Sequence, residues 1–153
     1  MKKYVAILIF LPNIVFAGST LPLTMARDKG FIGCDEAITK AFENTSGEVN
    51  VNVSRFPETK NDSIKLTATS GKPGDSIYIE AEFRKYGAKC YSTQTVIITS
   101  EKNCIAYKEE LPAFKFSAQS SDFTWMENQG GVDVILKSVG TGCMAIGQID
   151  QVR

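Results

Sequence analysis

The strongest constraint on this chain's fold is a period of two. Val49, Val51 and Val53 alternate with Asn50, Asn52 and Ser54, and Ile64, Leu66 and Ala68 alternate with Lys65 and Thr67. Ile77, Ile79, Ala81 and Phe83 then alternate with Tyr78, Glu80, Glu82 and Arg84. Successive side chains of a strand point to opposite faces, so this pattern describes strands with one face buried and one face wet. Further strand candidates are residues 89–99, 104–110, 113–118, 122–127, 132–139 and 143–149. Turn-forming residues fall between them, notably Gly71-Lys72-Pro73-Gly74-Asp75, Tyr86-Gly87, Gln129-Gly130-Gly131 and Gly140-Thr141-Gly142. Connections this short join antiparallel neighbours, because a parallel crossover needs a dozen or more residues.

One segment follows a helical period instead. Over residues 34–44, Cys34, Ile38, Ala41 and Phe42 recur at steps of three and four, with Asp35 and Glu36 in the first turn and Glu36 four residues before Lys40. A helix with a single apolar stripe needs a surface to lie on. The expected fold is therefore α+β, a curved antiparallel β-meander packed against one N-terminal α-helix, with a β-barrel or sandwich carrying an accessory helix as the alternative.

Residues 1–17 have the layout of a cleavable signal peptide. Lys2 and Lys3 precede an apolar run from Tyr4 to Leu11, Pro12 and Asn13 interrupt it, and Val15-Phe16-Ala17 resembles a cleavage site. The run is shorter than the roughly 20 apolar residues of a spanning helix. The expected organisation is a signal at 1–17, a loose lead-in at 18–32 and one domain at 33–153, with no integral membrane span after cleavage. The expected location is periplasmic or secreted.

Export changes how the cysteines are read. Cys34, Cys90, Cys104 and Cys143 are an even set, which in an oxidising compartment points to two disulfides. Three pairings are open; Cys34–Cys90 with Cys104–Cys143 is preferred because it ties the helix and the last strand to the sheet. No Cys-x-x-Cys occurs and the chain has no histidine, which removes the usual thiolate activator and mixed zinc sites. No metal and no other cofactor is expected.

Without Lys2 and Lys3, fifteen basic residues face seventeen acidic ones, and the basic residues do not cluster. Such a domain has no electrostatic reason to bind nucleic acid. The absence of histidine also excludes Ser-His-Asp and Cys-His catalysis. Asn-x-Ser triplets at Asn44, Asn52 and Asn61 are read as chance occurrences in a chain rich in Ser and Thr.

Two sets of candidates remain. Glu80 and Glu82 share a strand face about 7 Å apart, a spacing that could serve a carboxylate-pair hydrolase. They also share that face with Tyr78 and Arg84, which reads as a solvated face with local ion pairing. Trp125, near the Gly130-Gly131 turn, with Tyr86, Tyr91 or Tyr107, could form an exposed contact patch, since aromatic residues are enriched at binding hot spots. The plainer reading of the alternating aromatics Phe83, Phe114, Phe116, Phe123 and Trp125 itself is core, with the patch as the sharper alternative. The expected function is a non-catalytic binding or accessory protein whose partner is another protein or an envelope component. A small hydrolase and a structural subunit of a surface assembly are the alternatives.

Overall fold

The structure is a computed structural model that describes residues 20–45, 47–59 and 61–153. Residues 1–17, read above as a signal, lie outside the described residues. The elements in order are α1 (Leu21–Asp28), α2 (Asp35–Ala41), β1 (Val49–Ser54), a 3-10 turn (Pro57–Thr59), β2 (Ser63–Lys72), β3 (Asp75–Tyr86), β4 (Lys89–Ser100), α3 (Cys104–Glu109), β5 (Phe114–Ser120), β6 (Phe123–Asn128), β7 (Asp133–Val139) and β8 (Gly142–Val152).

All eight strands form one antiparallel sheet in the order β1-β2-β3-β4-β8-β7-β6-β5. The sheet is open, with β1 and β5 as its two edges. It is two four-stranded meanders rather than one, joined where β4 pairs with β8 from Tyr91↔Val152 to Ser100↔Cys143. Turn chemistry sets the hairpins. Pro73 and Gly74 link the paired residues Lys72 and Asp75, and Gly74 has a φ of +87°, the third position of a Pro-Gly turn. Gly71 is equally constrained: a Cβ there would lie 2.5 Å from the Asp75 carbonyl oxygen. The glycine-rich stretch 71–75 is thus a hairpin.

The helices cover one face of the sheet. The first hydrophobic cluster joins Ala26 of α1 and Ile38 of α2 to Leu66, Ala81 and Phe83, all of them buried. Phe42 and Phe83 meet with ring centroids 6.5 Å apart. A second, smaller cluster places Cys104, Tyr107 and Leu111 against Met126, Leu136 and Ala145. Each cluster holds its own disulfide, Cys34–Cys90 in the first and Cys104–Cys143 in the second, as the preferred pairing expected.

Two local expectations are corrected. The lead-in at 18–32 contains α1, in which Pro22 occupies the first turn, where a missing N–H costs nothing. Segment 104–110 is the helix α3 rather than a strand. The Asn103 side chain accepts a hydrogen bond from the Ala106 N–H at 2.9 Å and caps it. Cys104, Tyr107 and Leu111 then fall on one face at helical spacing, leaving Ile105 exposed.

Candidate functional site

The other face of the sheet has no helix over it among the described residues. The ladder register shows what it presents. Tyr78 pairs with Ile97, Ile97 with Ile146, Ile146 with Ile135, Ile135 with Trp125, and Trp125 with Ala118. These six residues form one row across six strands, roughly 24 Å long at the usual spacing between strands. Five of them are half-buried and Ala118 is exposed. A second row beside it runs Phe123, Lys137, Met144 and Thr99. The Lys137 ammonium lies 4.5 Å from the Phe123 ring centroid and 3.3 Å from the Asp122 carboxylate.

The β3 end of this face is polar and internally paired. Lys65 Nζ lies 2.6 Å from Glu80 Oε1, and the Tyr78 hydroxyl donates to Glu80 Oε2 at 3.0 Å. The hydrogen bond from Lys65 holds the Glu80 carboxyl below the ordinary carboxylate range, and the same bond raises the Lys65 ammonium. Desolvation, and then the hydrogen bond to Glu80, raise the Tyr78 phenol. Arg84 Nε donates to Glu82 Oε1 at 2.8 Å. The two glutamates therefore sit on one face as the alternation requires, each with a cationic partner. A carboxylate-pair hydrolase needs one member kept protonated as an acid, and the environment of Glu80 pushes it toward ionisation.

The aromatic candidates divide. Trp125, Tyr91 and Tyr86 all belong to the uncovered face by register. Tyr86 lies eight residues along β3 from Tyr78, roughly 26 Å from the Trp125 row, and it is highly exposed at the β3–β4 turn. Tyr91, six residues along β4 from Ile97, is also remote from the row. Tyr107 is on the opposite side, packed in the second cluster, where burial raises its phenol. Of the phenylalanines read as core, Phe83 is buried and Phe114 packs on the second cluster. Phe123 faces the uncovered side, and Phe116, on edge strand β5, is 57% exposed. The other members of Trp125's row, Ile135, Ile146, Ile97 and Tyr78, escaped the sequence reading as a row. Their signal is the unbroken apolar runs Val96-Ile97-Ile98 and Val134-Ile135-Leu136, which make both faces of a strand apolar.

Both disulfides use all four cysteines, so no thiol is free. Among the described residues, no three Cys, Asp or Glu side chains converge as a metal-binding group. No helix among them is long and apolar enough to cross a membrane. A larger hollow of about 640 Å³ runs beside the β5 edge, between Phe116 and the turn at Gln129 and Gly130. No family model, curated protein or solved structure matches this chain.

Proposed function

We propose that this is an exported, non-catalytic binding protein of the periplasm or the extracellular space, and that the uncovered sheet face is its contact surface. One observation carries the reading: the row Tyr78–Ile97–Ile146–Ile135–Trp125 is contiguous, apolar and covered by nothing among the described residues. An antiparallel sheet with one solvated face ordinarily places polar residues there. A contiguous apolar stretch with a polar margin marks an interaction site, and the tryptophan within it is the residue type that dominates binding energy. The two intramolecular disulfides are compatible with an oxidising compartment. The opening Lys-Lys and apolar run support export.

The test compares the tagged domain with its Ile146→Ser variant in pull-downs from envelope and culture-supernatant fractions. The account expects a discrete partner with the parent chain, lost with Ile146→Ser and kept with Glu80→Gln and Glu82→Gln. A hydrolytic activity abolished by the glutamine variants without loss of stability contradicts it. Concentration-dependent polymerisation on a sizing column also contradicts it, in favour of a structural subunit.

A further inference from the structure

Beside Trp125 the uncovered face sinks into a hollow of about 360 Å³. Its apolar walls are Trp125, Ile135 and Ile146, and its polar lining includes Thr95, Gln148, Asp133 and Asp150. Strand geometry accounts for the placement of the acids. Asp133 is two residues before Ile135 on β7 and Asp150 four residues after Ile146 on β8, so both share the face of the row.

Asp133 and Asp150, the two acids that line the hollow, differ from Glu80, Glu82 and Asp122 in their lack of partners. Glu80 has Lys65 and Tyr78, Glu82 has Arg84, and Asp122 has Lys137. Glu127 lies across the β5–β6 ladder from Lys115 but makes no ion pair with it. Asp133 faces Glu127, a like charge, and Asp150 faces Thr93. Neither makes an ion pair or a side-chain hydrogen bond among the described residues. The face thus combines an apolar wall, an indole and two carboxylates that lack counter-charges.

We propose that this hollow receives a lysine or arginine side chain from an extended segment of a partner protein. The inference rests on the binding-face reading above and names the chemistry of the partner. The aliphatic stem of such a side chain lies along Ile135 and Ile146, as long basic side chains do on apolar surface. Its cationic head is attracted to the Trp125 ring face and makes charge-assisted hydrogen bonds to Asp133 and Asp150. Apolar neighbours in the same segment continue along the row toward Ile97 and Tyr78. Complementary charge across an interface sets which partner is accepted and speeds its encounter.

The experiment titrates the folded protein with four synthetic peptides of one apolar sequence whose central residue is Arg, Lys, Gln or Glu, reading Trp125 fluorescence. The Arg and Lys peptides are expected to bind at least about tenfold more tightly than the Gln peptide, and the Glu peptide most weakly. Added salt narrows the difference. Asp133→Asn and Asp150→Asn each move the Arg peptide toward the Gln value. The proposal is overturned if the Gln peptide binds as tightly as the Arg peptide, or if the double asparagine variant binds the Arg peptide as the parent does. Equal binding of all four peptides, lost in Ile146→Ser, removes the cation and leaves the face. Binding of none, or binding that survives Ile146→Ser, removes the face as well. Self-association abolished by Asp133→Asn would place a second copy in the hollow and overturn the partner-protein assignment.

Discussion

Replacing Cys104 and Cys143 together by alanine opens a loop whose ends are 39 residues apart. In the chain-entropy model that closure is worth about 4 kcal/mol, and the 56-residue separation of Cys34 and Cys90 gives about the same. The two loops share no residue, so their contributions add to about 8 kcal/mol, comparable with the roughly 5–15 kcal/mol total stability of a domain. The structure makes the second bridge the more critical locally. Its cluster has four buried hydrophobic residues among those described, against fourteen in the first. In urea unfolding, with a slope of about 2 kcal/mol per molar, the Cys104→Ala/Cys143→Ala variant should lose about 2 M in midpoint. Amide exchange should accelerate first in β6 and β7 and least in β2 and β3, because the freed segment is α3 and the meander it leads into. A midpoint within about 0.5 M of the parent refutes the reasoning. So does exchange that rises equally in β2 and β3.

The remaining predictions concern the core and the polar end of the open face. Phe83→Ala removes a fully buried ring that meets Phe42 and should cost about 3–5 kcal/mol by denaturant titration, whereas Ile146→Ser on the half-buried row should cost about 1 kcal/mol. Glu80, whose folded pKa is lowered, contributes stability that is present above the ordinary carboxylate range and is lost as pH falls through its folded value. Lys65, whose folded pKa is raised, contributes stability present below its ordinary value of 10.5 and lost as pH rises beyond it. Thermal midpoints followed across pH should therefore fall less steeply in acid and in alkali for Glu80→Gln than for the parent. An unchanged profile contradicts the pairing.

The alternation of Val49–Ser54 and of the β3 residues Ile77 to Arg84 places each strand and its buried face without reference to any neighbour, because period two is a local property of the backbone. The α2 stripe is legible for the same reason. The strand order was not legible: nothing local shows β8 entering between β4 and β7, since that pairing joins residues about 50 positions apart. The segment around Cys104 misled because Ile105-Ala106-Tyr107 is apolar and short, and the capping role of Asn103 carries little weight until the helix is seen. The sequence marks Trp125 as a candidate but does not mark the other members of its row. A row across a sheet exists only once the register is known, and residue type alone groups Tyr86, Tyr91 and Tyr107 with Trp125.

Trp125 is the chain's single tryptophan, so its emission reports on one position of the open face. The most direct measurement is acrylamide quenching of that emission in the isolated protein and then in its complex. The account predicts a quenchable indole when the protein is free and a shielded, blue-shifted one when the partner is bound. An indole already shielded in the isolated monomer, or one whose quenching is unchanged in the complex, would contradict the claim that this face is where the protein makes its contact.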